Sequence, residues 1–175
     1  MTENRINIVQ GEYAVSTDPD AVISTLLGSC VSVCMFDERC CVGGMNHFLL
    51  PGDDAGGSGM QRHGVYLMEL LINGLLKKGA DKRDMAAKIF GGASTVASIV
   101  EQIGEKNVAF ARRFLQAEGI PIVGESVGGH SGRRIQFWPV GGRARQAFIE
   151  APKDELNMQK TLALKLAGGE VELFR

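Results

Sequence analysis

The sequence predicts a single layered domain of the α/β or α+β class, and three observations carry this reading. Short runs alternate apolar and polar residues, as in Val31-Ser32-Val33-Cys34-Met35, the period-two pattern of a strand with one buried face. Two longer segments repeat apolar residues at spacings of three and four, which marks helices with one buried stripe. Glycine supplies 23 of the 175 residues, implying many tight turns and close backbone approaches. Mixed helices, strands and hairpins bury their apolar faces by stacking as layers. A chain of this length holds a core large enough to fold without disulfide or metal staples.

Residues 5–9 and 12–16 read as short extended pieces around Gly11, followed by a turn at Asp18-Pro19-Asp20. Ala21–Leu27 is apolar with Ser24 and Thr25 in its middle. Val31–Met35 and Cys41–Leu50 read as two strands of a hairpin, interrupted by the polar cluster Asp37-Glu38-Arg39. Pro51–Gly59 is a glycine-rich loop, expected either as a lid beside the histidine strand or as a plain connection. A helix is expected from about His63 to Lys78 on the spacing of Leu67, Leu70, Leu71 and Leu75, with Gly79 as its stop. Ala86–Phe90 reads as a buried strand ending at Gly91-Gly92. Ser94 or Thr95 is expected to cap a helix reaching Ile103. A further helix is expected over Lys106–Glu118, closed by Gly119 and Pro121. Ile120–Val123, Arg134–Trp138 and Arg143–Ile149 read as strands. Residues 154–175 form a tail expected to be helical, most clearly over Asp154–Leu166. No linker or repeat divides residues 1–175.

Composition excludes several functions. With 19 basic residues against 20 acidic ones, nothing electrostatic points to nucleic acid. No apolar run approaches the roughly 18 residues needed to cross a bilayer, so no membrane insertion is expected. The opening MTENRINIVQGEY lacks a signal pattern, and a cytoplasmic protein is expected. All four cysteines fall between Cys30 and Cys41, which argues against a disulfide framework.

That cluster leaves catalysis, metal binding or core packing. If Asp37–Cys40 forms the hairpin turn, Cys30 stands directly opposite His47. Opposed side chains in a hairpin have Cβ atoms about 4.5–5.5 Å apart, close enough for thiol and imidazole to share a proton. A histidine there favours the thiolate, the nucleophilic form, by lowering the thiol pKa. Cys30 as a small core hydrophobe is the alternative. A zinc site is disfavoured because Cys40 and Cys41 are adjacent and no CxxC pair occurs. Cys34 is expected in the core, with Cys40 and Cys41 in the turn. His63 and His130 are expected at the surface. Gly91-Gly92 lacks the lysine of a phosphate loop, and Arg133-Arg134 reads as a solvated charge pair.

With these residues in view, the chain resembles the chemoreceptor glutamine deamidase family, CheD, of bacterial chemotaxis. The resemblance rests on Gly11–Val15, Leu27–Val33, Gly43–Pro51, Lys88–Ala93, Ile103–Asn107, and Gly128-Gly129 with Gly132-Arg133, in family order. It implies a three-layered α/β sandwich with Cys30 as nucleophile and His47 as general base and acid. A hydroxyl residue upstream of the GSC motif is matched by Thr25 through its neighbours and by Ser24 through its distance from the cysteine; Thr25 is preferred. The resemblance further implies receptor glutamine as substrate, no cofactor, and binding to CheC-type phosphatases. The competing functions are a binding module that regulates such a phosphatase, a transglutaminase, or a receptor methylesterase.

Overall fold

The computed structural model describes residues 2–50, 58–94 and 99–149. Among these residues nine strands and two long helices form three layers. The middle layer is a five-stranded sheet in the order β2 (Tyr13–Ser16), β5 (Val42–Asn46), β4 (Val31–Asp37), β6 (Ala86–Gly91), β7 (Ile122–Val127). One outer layer is a four-stranded sheet in the order β1 (Asn4–Asn7), β3 (Ala21–Leu27), β8 (Gly132–Trp138), β9 (Arg143–Ile149). The other is the helix pair α1 (Ser58–Lys77) and α2 (Ile99–Glu118).

Strand β4 is buried at every residue because it lies in the middle of the middle layer. Its odd residues Val31, Val33 and Met35 join the core shared with the helices, beside Leu67, Leu71 and Leu115. Its even residues Cys34 and Phe36 face the second sheet, against Ile23, Ile135 and Phe137. A strand covered on both sides must be apolar on both faces. Each fully buried aliphatic or aromatic side chain contributes about 1.5–3 kcal/mol, so these two cores hold the layers together.

The hairpin register differs from the expected one. Asp37 pairs with Val42 and Cys34 with Met45, so the connecting loop is Glu38–Cys41. Asp37 remains in the strand, and its carboxylate accepts from the backbone N–H groups of Arg39, Cys40 and Asp81. Cys41 closes the loop with φ of 53°, a left-handed geometry that nothing in its sequence signals. The register is displaced by two residues, which preserves the face of every side chain. Leu49 now stands across from Cys30, and Ser32 across from His47.

Two helix expectations also change. Helix α1 begins at Ser58 rather than His63; its glycines are poor helix formers, so local propensity does not signal the extra turn. The segments expected on either side of Gly104 are one helix. Gly104 is no break: a Cβ there would lie 2.5 Å from the Gly92 carbonyl oxygen, so glycine lets α2 press against the end of β6. Strand β7 starts at Ile122, because the N–H of Ile120 is taken by Leu115 O at the helix end. The 51–57 loop, the cap at Thr95 and the C-terminal tail lie outside the described residues.

Gly91 ends β6 with φ of 108°, and a Cβ on it would meet the Cys30 carbonyl oxygen at 2.2 Å. Gly91→Ala is therefore expected to destabilise the fold by about 3 kcal/mol, read as a lower urea midpoint at unchanged slope. An unchanged midpoint would show that the Cys30 backbone is free to shift.

Candidate active site

Cys30 sits at the turn between β3 and β4, where three consecutive carbonyls are fixed. Gly28 O accepts from Ala93 N at 2.9 Å and Cys30 O from Gly92 N at 2.8 Å. Ser29 O accepts from Asn107 Nδ2 at 2.9 Å. Asn107 Oδ1 in turn accepts from Leu50 N at 2.9 Å, so one fully buried amide ties the cysteine turn to the chain just past His47. Asn107 has no role assigned from the sequence. Its signal was an asparagine beside Val108 and Ala111 on the apolar stripe of a helix, where a polar side chain must find partners.

His47 follows β5 and is held from both sides by the β1–β2 connection. Its N–H donates to Glu12 O at 3.0 Å, and its carbonyl accepts from Gly11 N at 2.8 Å. Asn46 just before it turns toward the helices, and its Oδ1 accepts from Val33 N where a backbone carbonyl would otherwise pair. This side chain interposed between β4 and β5 opens the ladder beside the histidine, and pairing resumes at Val31 and Phe48.

Thr25 projects from β3 into the space between the sheets, with its Oγ1 2.8 Å from His47 Nδ1. The same hydroxyl donates to Ile8 O at 2.8 Å. A hydroxyl has one proton, so toward the imidazole it accepts, and Nδ1 carries the hydrogen. Nε2 is left with a lone pair free to accept. It is buried and has no hydrogen-bond partner among the described residues. Ser24 faces the other way and donates to Ile135 O; of the two hydroxyls, Thr25 is the one on the histidine.

Burial is the main influence on both reactive groups. It lowers the His47 pKa to about 4, with the Glu12 carboxylate opposing weakly, so the ring is neutral at pH 7. Burial also raises the Cys30 pKa, opposed in part by its own backbone N–H. The resting pair is thus a neutral thiol and a neutral imidazole, with burial rather than His47 as the leading influence on the thiol. Cys30 and His47 share the inter-sheet side of the middle layer but not a hydrogen bond. The displaced register and the opened ladder are the reasons. The thiol contacts the Gln10 side chain instead, with Sγ 3.8 Å from Oε1.

A cleft of about 510 Å³ reaches His47 and Thr25 between Ile8, Gln10, Arg134 and Gln136, with exposed Val9 and Leu26 among its walls. Cys30 does not line it. The other expected candidates lie elsewhere. Cys34 is buried in the inter-sheet core, Cys40 and Cys41 are exposed at the hairpin tip, and His63 and His130 are exposed. No group of metal-ligating side chains occurs among the described residues. Arg133 is the exception to its expected solvation. It is buried, bonded to Ser126 O, Ser126 Oγ and Gly128 O, and stacked on Phe148, so it braces the β7–β8 connection.

A family model described as CheD chemotactic sensory transduction matches residues 49–148, a span that begins just after His47. Curated relatives match almost the whole chain. A protein named probable chemoreceptor glutamine deamidase CheD from Rhizobium leguminosarum bv. trifolii (strain WSM2304) is 54% identical over 171 residues, covering 94% of this chain and 90% of its own length. Its namesake in Acidiphilium cryptum (strain JF-5) is 54% identical over 178 residues, covering 97% and 93%. That of Rhizobium meliloti (strain 1021) is 52% identical over 176 residues, covering 97% and 96%.

Proposed function

Because the chain belongs to the CheD family, we propose that it is a chemoreceptor glutamine deamidase, an amidohydrolase that converts receptor glutamine to glutamate in chemotaxis, with Cys30, His47 and Thr25 as its working residues. The observation that carries the residue assignment is the buried Nε2 of His47, without a partner among the described residues and held as a proton acceptor by the Thr25 hydroxyl.

In this reading the substrate carboxamide enters beside Cys30. The thiol proton passes to His47 Nε2 as Sγ bonds to the carboxamide carbon. The imidazolium then returns that proton to the amide nitrogen, the C–N bond breaks, and ammonia leaves a thioester on Cys30. Water, giving a proton to Nε2, attacks the thioester carbon. The C–S bond breaks, the thiol is re-formed, and glutamate is released. No cofactor enters any step. The product replaces a neutral amide by a carboxylate, a charge change that biases the receptor's signalling equilibrium.

We further assign the chain, as one deamidase unit, to the cytoplasm. None of its described helices is long and apolar enough to cross a membrane. A CheC-type phosphatase is its proposed protein partner. The test is incubation with a receptor cytoplasmic domain. Ammonia release matched by glutamine-to-glutamate conversion in peptide masses supports the reading. Incorporation of added amine, or release of methanol from methylated receptor, would replace it by a transglutaminase or a methylesterase.

Thr25 acts through the imidazole, as a positioning residue. Thr25→Val leaves Nδ1–H facing a methyl group, a loss of about 1–3 kcal/mol for a buried polar group. We expect kcat to fall roughly 10- to 100-fold, with Thr25→Ser restoring most of it. Nitrogen NMR of the His47 ring should show the Nδ1–H tautomer in the parent and a mixture in the valine variant. An unchanged tautomer with unchanged kcat would remove Thr25 from the site.

A further inference from the structure

The resting partner of the Cys30 thiol is a glutamine side chain of the same chain. Gln10 Oε1 lies 3.8 Å from Sγ, and Gln10 also lines the cleft that reaches His47 and Thr25. Its backbone is delivered there by five hydrogen bonds around it. Ile8 N donates to Ser24 O at 3.0 Å, and Ile8 O accepts from the Thr25 hydroxyl at 2.8 Å. Val9 N donates to Glu12 Oε2 at 2.9 Å. Gly11 and Glu12 clasp the backbone of His47 at 2.8 and 3.0 Å. The loop between β1 and β2 therefore holds one of the histidine's walls and presents Gln10 to the cysteine. The Gln10 residue itself is exposed, so it can turn out without unpacking any core.

The chemistry of this contact matches that of the substrate. A deamidase for glutamine must place a primary carboxamide at the end of a two-carbon side chain against its thiol, and Gln10 is such a group. The Nε2 of His47 has no partner among the described residues, so the thiol is occupied while the base is not. We propose that the Gln10 carboxamide is an internal occupant of the substrate-amide position, which a receptor glutamine must displace before the Cys30 proton reaches His47. The proposal rests on the deamidase reading and specifies how that site is gated. The contact is non-productive: Oε1 accepts from the thiol, whereas attack requires the carboxamide carbon over sulfur. Gln10 thus competes without being consumed. The thiol is a weak donor, so the contact holds the site loosely and substrate enters at modest cost.

The experiment uses the full chain with iodoacetamide as the probe, followed by site-resolved mass measurement of the four cysteines. Alkylation forms a Cys30 Sγ–carbon bond, expels iodide and releases the thiol proton to solvent. In Gln10→Ala, Cys30 is expected to alkylate roughly two- to fivefold faster, the range for a hydrogen bond of modest net strength. KM for the receptor domain should fall by a similar factor with kcat unchanged. Cys40 and Cys41 should not change, and Cys34 should stay unlabelled, which certifies the fold. Gln10→Met, of similar bulk but without an amide, should behave like the alanine variant.

If the methionine variant instead matches the parent, Gln10 is a steric shield and the proposal falls. It also falls if residue 10 of the parent is recovered as glutamate in a Cys30-dependent manner, because Gln10 would then be a slow substrate. If the parent converts receptor glutamine while neither alkylation nor KM moves in the variants, the occupancy fails alone. If alkylation responds but no receptor glutamine is converted, the carboxamide contact stands and the deamidase reading fails.

Discussion

Cys30→Ala is expected to lower deamidation by roughly 10⁴-fold or more, the scale seen when a covalent nucleophile is removed from a hydrolase. The substitution deletes only the atom that bonds to the carboxamide carbon. Its structural effect should be small. Cys30 is half-buried at the margin of the inter-sheet core, and the turn that carries it is held through backbone carbonyls. Melting temperature and partner binding should therefore stay close to the parent. Cys40→Ala and Cys41→Ala, at the exposed hairpin tip, should leave the rate unaltered and serve as controls. A Cys30→Ala protein that keeps more than a small fraction of the parent's ammonia release would transfer the chemistry to another residue. Full loss of activity with loss of folding would leave the rate uninterpretable, so thermal unfolding is measured on the same sample.

His47→Gln should lower kcat/KM by about 10²–10⁴-fold, the usual worth of a positioned acid–base group. The glutamine side chain can still hydrogen-bond Thr25, but it cannot take and return a proton. The parent's pH profile is the sharper measurement. Burial holds the folded pKa of His47 at about 4, below its ordinary 6.5. Above that folded value Nε2 is an available base; as pH falls through it, the ring is protonated and cannot accept the thiol proton. The acid limb of kcat/KM is thus expected near pH 4, with a plateau through neutral pH. At high pH, ionisation of Cys30, whose pKa burial raises, removes the proton that the leaving ammonia needs. A limb near 6.5 would mean that the imidazole is solvated in the working enzyme.

The same depressed pKa has a stability consequence with a definite sign. The unfolded chain binds a proton at His47 more readily than the folded chain, so this contribution is complete above pH 6.5. It is lost as pH falls from 6.5 toward 4, by roughly 3 kcal/mol in all. His47→Gln should flatten that part of the pH–stability curve. An equally steep curve in the variant would assign the acid sensitivity between pH 6.5 and 4 to groups other than His47.

Much of the layered fold follows from local periodicity. Alternation in Val31–Met35 is a property of neighbouring residues, and it separates the two faces of β4, although both are buried rather than the single one expected. The three- and four-residue spacing of Leu67, Leu71 and Leu75 likewise identifies the buried stripe of α1. The resemblance drew Cys30, His47 and Thr25 together from the chain. Their shared side of the sheets survives even an incorrect register, since a displacement of two residues leaves every side chain on its own face.

Local signals do not reach the distances over which the site is built. The hairpin register depends on the backbone groups that Asp37 accepts, one of them Asp81, forty-four residues away. Gly104 reads as a helix break until the Gly92 carbonyl is seen against it. Thr25 and Ser24 are neighbours of similar chemistry, separated only by which face of β3 each occupies. Asn107 and Gln10 belong to a helix and a loop far from the cysteine in sequence, yet one ties down its turn and the other contacts its thiol. Sequence alone therefore determined which residues face inward and which groups are chemically competent, because periodicity and side-chain chemistry are local. Only the tertiary structure decided which group touches which, because register, close approach and desolvation arise where distant segments meet.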